Sequence, residues 1–369
     1  MSNSLKIGIL GTRGIPNRYG GFEQCAEYLA VGLAKKGHLV SVYNSNTHEF
    51  EGNEWHGVEI IHCKDPERML GTFGQFIYDY NCIKDARNRD FDILLQLGYT
   101  SNSIWHKQWP KDACNIVNMD GLEYKRSKYN KLVQQFLKKT ESWAAMHGDI
   151  LIADSPVIQA HLKNNYNKPS VFIPYGADIY PSHDAKALEQ YGLTPYNYYL
   201  HIARMEPENN SETIIRSYLK SRSDSPLIII GKTKNKYSTY LKKTYERKGK
   251  IFFTGGVYDL NTISNLRYYS LLYFHGHSVG GTNPSLLEAM AGSAVIAAHD
   301  NAFNKTVLGD DALYFSNEDQ LTGIIKQVVN KTDYKDFIEN NLEKIQNHYN
   351  WDKIIEAYES IMIEAVNKQ

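Results

Sequence analysis

Leu271-Leu272-Tyr273-Phe274-His275-Gly276-His277-Ser278-Val279-Gly280-Gly281-Thr282-Asn283-Pro284-Ser285-Leu286-Leu287-Glu288 reads as a strand, a glycine-bearing loop and the start of a helix. The apolar run at 271–274 suits a short buried strand. Asn283 fits the N-cap, Pro284 the first helical position, and Leu286, Leu287 and Met290 keep helical spacing. Gly280 and Gly281 let the backbone N–H groups of Gly281, Thr282 and Asn283 approach a ligand at the positive end of that helix, which suits a phosphate. Glu288 follows about one turn later on the Pro284 face, where a carboxylate can accept hydrogen bonds from sugar hydroxyls. A diphosphate beside a ribose is half of a nucleotide-sugar. The plainer alternative is a strand–turn–helix corner with no ligand.

That corner is one step of a longer alternation. Residues 6–10 read as a strand, 11–21 as a glycine-rich loop and 22–36 as a helix, closed by Gly37 before a strand at 39–43. Short strands at 58–62, 93–97, 116–119 and 150–153 continue the pattern. Phe172-Ile173-Pro174-Tyr175-Gly176-Ala177-Asp178 closes this half, and the alternation restarts with strands at 198–203, 227–230, 251–254, 271–275 and 294–298. The reading is α/β, with two Rossmann-like domains, 1–178 and 179–350, facing a cleft. The final helix, 351–369, carries Trp351, Ile354, Ile355, Tyr358, Ile361 and Met362 on one stripe and is expected to pack back on the first domain.

The 369 residues suffice for two cores, and the 41 basic and 41 acidic side chains cancel, so no basic surplus points to nucleic acid. Cys25, Cys63, Cys82 and Cys114 lack CxxC spacing, which fits a reduced, cytoplasmic protein. The opening M-S-N-S-L-K-I-G-I-L-G has no signal-peptide pattern, and no run of 18 apolar residues occurs. Residues 124–139 interleave Lys125, Arg126, Lys128, Lys131, Lys138 and Lys139 with Leu132, Val133, Phe136 and Leu137. A basic, aromatic helix of this kind can rest on the anionic inner face of the cell membrane; a solvated helix face is the alternative.

Gly8, Gly11 and Gly14 are spaced GxxGxxG, unlike the GxGxxG of dinucleotide binders, and Tyr43-Asn44-Ser45-Asn46 lacks the acid that would hold an NAD ribose. A dehydrogenase is thereby disfavoured. Gly20 and Gly21 precede a helix and can admit a donor sugar or phosphate, or simply make a tight turn. Arg204, in H-I-A-R-M-E-P-E-N-N, follows a strand and can fork onto a diphosphate. Lys232 stands at the equivalent end of the next strand, and a solvated surface charge is the alternative for both. Gly255-Gly256-Val257-Tyr258 ends another strand, where Tyr258 can meet a nucleobase edge. Asp120, in V-N-M-D-G-L-E-Y-K-R, can orient an acceptor hydroxyl or cap a turn, an ambiguity Glu123 shares. His275-Gly276-His277 lacks a third ligand at metal-site spacing, so histidines lining a polar cleft are expected, with no metal and no cofactor.

Taken together these residues resemble glycosyltransferase family 4 and its GT-B fold. Ser278 to Glu288 is similar to that family's E-x7-E donor loop, Arg204 to its phosphate arginine, and Ile173-Pro174-Tyr175-Gly176-Ala177-Asp178 to its interdomain segment. Gly11-Thr12-Arg13-Gly14-Ile15-Pro16, Tyr19-Gly20-Gly21-Phe22-Glu23, Asp120 to Arg126, Glu206 to Asn210 and His277 to Pro284 resemble a rhamnosyltransferase-type subgroup of bacterial polysaccharide synthesis. The resemblance implies retaining, metal-independent transfer of a hexosyl group, L-rhamnose from dTDP-L-rhamnose, to a glycan or lipid-linked glycan. It implies catalytic roles for Asp120, Arg204 and Lys232, and donor contacts from Gly20, Gly21, Tyr258, Gly280, Gly281, Thr282, Asn283 and Glu288. Two positions depart from the general family: Gly280 stands at the first glutamate, and Asn209 or Asn210 at a phosphate-binding lysine, whose charge Lys232 could replace. The alternatives are a nucleotide-sugar epimerase of the same fold and a non-catalytic nucleotide-sugar-binding subunit.

Overall fold

The structure, a computed structural model, describes residues 4–368 apart from Tyr19, Ser127, Lys128, Arg247 and Tyr258. It divides into two compact units. Met1–Tyr124, Asn130–Tyr175 and Trp351–Gln369 form the first, and Lys125–Tyr129 with Gly176–Asn350 the second.

In the first unit β1 (Lys6–Leu10) leads through α1 (Gly21–Lys35) to β2 (Leu39–Ser45), β3 (Glu54–Trp55) and β4 (Val58–Cys63). Helices α2 (Glu67–Leu70) and α3 (Thr72–Ala86) precede β5 (Ile93–Leu97) and β6 (Cys114–Met119). Then come α4 (Lys131–His147), β7 (Ile150–Ala153), α5 (Pro156–Tyr166) and β8 (Val171–Phe172). The sheet runs β3-β4-β2-β1-β5-β6-β7-β8; β3 pairs antiparallel and the other pairs are parallel. All five residues of β5, Ile-Leu-Leu-Gln-Leu, are buried, as a central strand covered by helices on both faces requires.

The second unit repeats the plan. Its elements are β9 (Tyr199–Ile202), α6 (Ser211–Ser221), β10 (Leu227–Ile230), α7 (Lys236–Tyr245), β11 (Ile251–Gly255), α8 (Leu260–Tyr268) and β12 (Leu272–His275). After these come α9 (Pro284–Ala291), β13 (Ile296–His299), α10 (Ala302–Leu308), β14 (Leu313–Phe315), α11 (Glu318–Gln327) and α12 (Lys335–His348). The order is β11-β10-β9-β12-β13-β14, all parallel. Strand order reverses between β1 and β5 in one sheet and between β9 and β12 in the other. In open parallel sheets, ligands bind beyond the carboxyl ends of strands at such a reversal.

The chain ends in α13 (Trp351–Asn367), which returns to the first unit. Its Trp351 ring stacks on Tyr28 with centroids 4.3 Å apart, and Asn118 donates to the Tyr358 hydroxyl at 2.9 Å. Glu359 pairs with Lys36 at 2.8 Å. A Cβ on Gly32 of α1 would stand 2.4 Å from the Ile355 Cδ1, so the glycine lets the two helices cross closely without displacing that side chain.

Three strands go beyond the sequence expectation, because β3, β8 and β14 are two or three residues long and show no usable period. The basic helix expected over 124–139 is corrected. Glu123–Lys125 forms a short 3-10 turn, and α4 begins only at Lys131, where Asn130 accepts from the Val133 N–H at 3.0 Å. No helix among the described residues is long and apolar enough to cross a membrane.

Candidate functional site

The second unit gathers most of the sequence-selected residues at one sheet edge. Arg204 follows β9, Lys232 follows β10, and the Gly280–Asn283 loop follows β12. These three strands are adjacent and parallel, so their following segments leave the same edge, on either side of the strand-order reversal. Arg204 and Lys232 are both exposed. At the start of α9 the Asn283 side chain accepts from the Ser285 N–H at 3.0 Å, the cap that the sequence suggests. Tyr258 lies outside the described residues.

Gly280 has φ +138°, and a Cβ there would meet nothing within 4 Å. The space is open, but the backbone conformation is one that L side chains rarely adopt. Restoring a glutamate by Gly280→Glu is therefore expected to lower stability by about 1–3 kcal/mol without adding a useful contact. Thermal melts and nucleotide titrations of the variant check this.

Glu288, on α9, is tied to a partner that the sequence did not suggest. Arg267 at the end of α8 is buried and places Nη2 2.5 Å from Glu288 Oε2. The carboxylate thus neutralises a buried cation. Asn209 and Asn210, which stand near the family's lysine position, are also engaged. Asn209 Nδ2 donates to the Arg204 carbonyl at 2.7 Å and Asn210 Nδ2 to the Gly276 carbonyl at 2.8 Å. Both brace the backbone around Arg204 and Gly276.

The loop after β12 is clamped from two sides. Ser278 donates to the Glu208 carbonyl from its N–H at 3.0 Å and from its hydroxyl at 2.8 Å. Asn301 and Asn304 each donate to the His277 carbonyl at 3.0 Å. Such clamping fixes the backbone before any ligand arrives. Asn301 is also the N-cap of α10, a signal legible in the sequence although the reach to His277 is not.

The histidine expectation is corrected for His275. His275 is fully buried and does not line a polar surface, and it stacks on His277 with centroids 4.4 Å apart. His201 bridges β9 and β12: Nδ1 stands 3.0 Å from the Phe274 carbonyl and Nε2 2.9 Å from the Ser211 hydroxyl. The carbonyl can only accept, so Nδ1 carries the proton. Among the described residues no group of three or more His, Cys, Asp or Glu could hold a metal ion.

Burial pushes His201 down to about 4 and His275 down to about 3, the latter helped by His201 and Arg267. It also holds His277 well below its ordinary value, with further lowering from His275, His201, Arg204 and Arg126. The unfolded chain protonates each ring near about 6.5. As pH falls from about 6.5 toward about 4, the unfolded state takes up protons that the native state refuses. Stability is then lost at ~1.4 kcal/mol per pH unit per histidine. Asp79 opposes this, since burial raises its carboxyl to about 7 and the native state keeps a proton the unfolded chain has released. Three histidines outweigh one aspartate, so the urea midpoint is expected to fall between about pH 6.5 and about pH 4. A flat midpoint over that range would contradict the account.

The first unit places Asp120 directly after β6. Behind it lies a buried network absent from the sequence reading. Tyr99 donates to the Gly121 carbonyl at 2.7 Å, and its hydroxyl stands 3.3 Å from Glu141. Glu141 also meets His161 and the Tyr166 hydroxyl, each at 2.7 Å. Gly20 is the N-cap of α1 and offers no side chain to its N–H groups, while Gly21 is the first helical residue. Gly20 has φ −171°, extended backbone open to any residue, so its lack of bulk is what distinguishes it. Asn44, at the place of the absent acid, accepts from the Ile15 N–H at 3.0 Å and donates to the Ile15 carbonyl at 2.7 Å. It holds the loop after β1.

Comparison with known proteins gives this geometry a family setting. Residues 185–361 match the model of glycosyl transferases group 1, and residues 5–178 match a domain of unknown function, DUF1972. An uncharacterized glycosyltransferase of Methanocaldococcus jannaschii is 27% identical over 180 residues, spanning 45% of this chain and 45% of its own length. The sucrose-phosphate synthase of Thermosynechococcus elongatus superposes with a TM-score of 0.84 at 15% identity, over 99% of this chain and all of the other. Anabaena HepE, solved with UDP and glucose, superposes at 0.75 and 15% identity over 98% of this chain and all of the other. The fold is GT-B, and the residues that match the group 1 model include Arg204, Lys232, the Gly280 loop and Glu288.

Proposed function

We propose that the chain is a retaining, metal-independent glycosyltransferase of cell-surface polysaccharide synthesis. It moves a hexosyl group, L-rhamnose from dTDP-L-rhamnose, onto a glycan or lipid-linked glycan at the cytoplasmic side of the membrane. The observation that carries this reading is the common edge of β10, β9 and β12, which presents Lys232, Arg204 and the Gly280 loop within the residues that match the group 1 glycosyl transferase model. UDP and glucose bound to a relative of the same fold support a nucleotide-sugar donor. The choice of rhamnose rests on the subgroup motifs.

In this reading the second unit takes the donor and the first the acceptor. Arg204, Lys232 and the N–H groups of Gly281, Thr282 and Asn283 stabilise the departing diphosphate, as a metal ion would otherwise. Glu288 accepts from the ribose hydroxyls, and Tyr258 meets the base. Gly20 and Gly21 admit the sugar or phosphate beside α1, and Asp120 orients the acceptor. The acceptor oxygen bonds to the anomeric carbon as the bond to the diphosphate breaks on the same face, and a diphosphate oxygen takes the proton.

Calorimetric titration with dTDP, UDP and GDP tests the donor base; preference for UDP or GDP would overturn the dTDP assignment. Donor incubated without acceptor and followed by NMR is expected to keep its sugar configuration. Inversion at a ring carbon would indicate an epimerase.

A further inference from the structure

The short stretch Lys125–Tyr129 belongs to the second unit, although the chain before and after it belongs to the first. The sequence reads Arg126 as one of several solvent-facing cations, but its side chain is largely buried. It is 15% exposed, and its Nη1 stands 3.6 Å from Oε1 of Glu208, whose side chain is 2% exposed. Glu208 sits in the 3-10 turn Pro207–Asn209, between Arg204 and the start of α6. Its backbone carbonyl accepts both Ser278 donors, so the residue that holds Arg126 also anchors the loop after β12.

A carboxylate this buried needs a cation beside it. At 3.6 Å the two named atoms form an ion pair without a hydrogen bond between them. Neutralising Glu208 accounts for one positive charge, and a second stands close by. Arg126 and Arg204 both lower the proton affinity of the His277 ring, so both lie near it, and His277 directly precedes Ser278. Two guanidinium groups beside one imidazole repel each other, and a bound polyanion relieves that repulsion. A guanidinium carries five N–H donors in a planar fork, so it can keep Glu208 on one side and take a phosphate on another. Arg204 and Lys232 reach this edge from the ends of strands; Arg126 comes to the same loop from a segment that is no part of the sheet.

We propose that Arg126 is a further cation of the anion site at that edge: with Arg204 it grips the diphosphate of a nucleoside diphosphate, while Glu208 holds its guanidinium in place. The inference rests on the donor reading of the second unit and adds a binding residue to it.

Calorimetric titration of the full chain with dTDP, UDP and GDP tests it. Arg126→Ala is expected to weaken binding of whichever of the three the parent prefers by at least about tenfold, as loss of a hydrogen bond to a charged group does. Arg126→Ala/Glu208→Gln separates the two roles of the arginine, since it removes the cation and leaves no buried charge behind. It is expected to bind as weakly as the single variant. Recovery of parent affinity would show that Arg126 only neutralises Glu208, and would overturn the proposal. The double variant also decides the matter if the single one unfolds, which its urea midpoint reports. Lys139→Ala, which removes an exposed charge on α4, is expected to leave binding unchanged. Arg126→Ala that binds as the parent does overturns the proposal and leaves the donor reading standing, whereas a parent that binds none of the three nucleotides removes both.

Discussion

Glu288→Ala is expected to lower folding stability by about 3 kcal/mol, apart from any effect on a ligand. The reason is Arg267, whose side chain is 4% exposed and whose guanidinium meets Glu288 at 2.5 Å. Removing the carboxylate leaves a buried cation without its countercharge, and that desolvation cost exceeds the value of the pair itself. The Glu288 side chain is 25% exposed, so water entering the vacated space keeps the loss at the lower end of the usual range. Replacing both members with apolar residues, as in Arg267→Met/Glu288→Leu, is expected to recover most of the stability. Urea midpoints of the parent, the single and the double variant decide it. A single variant as stable as the parent would mean that Arg267 finds another partner. The consequence for function is practical: loss of activity in Glu288→Ala does not by itself identify a ribose contact.

Arg204→Ala is expected to act differently, with a large effect on chemistry and a small one on folding. Arg204 is exposed at the carboxyl end of β9, and its backbone carbonyl, not its guanidinium, accepts from Asn209. The local fold therefore survives the loss of the side chain. A cation aimed at a departing diphosphate contributes about 10²–10³ in turnover when removed singly. Steady-state kinetics with a saturating acceptor, beside a urea midpoint within about 0.5 kcal/mol of the parent, is the expected pair of results. Unchanged turnover would remove Arg204 from the diphosphate site.

What the sequence made legible follows from the range of the interactions involved. Strands at 6–10, 93–97, 150–153 and 227–230 match the structure at both ends because each is a short apolar run closed by a glycine or an aspartate. The Asn283–Pro284 start of α9 was equally legible, since capping is local chemistry. The Arg267–Glu288 pair was not: its members lie on different helices, and nothing in a helix-end arginine announces which carboxylate it will meet. The burial of His275 was hidden for the same reason, because β12 takes its place between β9 and β13 through long-range pairing. Asn130 did offer a cap signal for α4, and the run of lysines before it obscured the true start.

The most direct measurement is nucleoside diphosphate released from a panel of nucleotide-sugars, with and without a lipid-linked disaccharide acceptor. The account predicts release of dTDP from dTDP-L-rhamnose that depends on the acceptor and is lost in Arg204→Ala. Donor that binds and is neither transferred nor cleaved, with every acceptor offered, would contradict catalysis and leave a binding subunit.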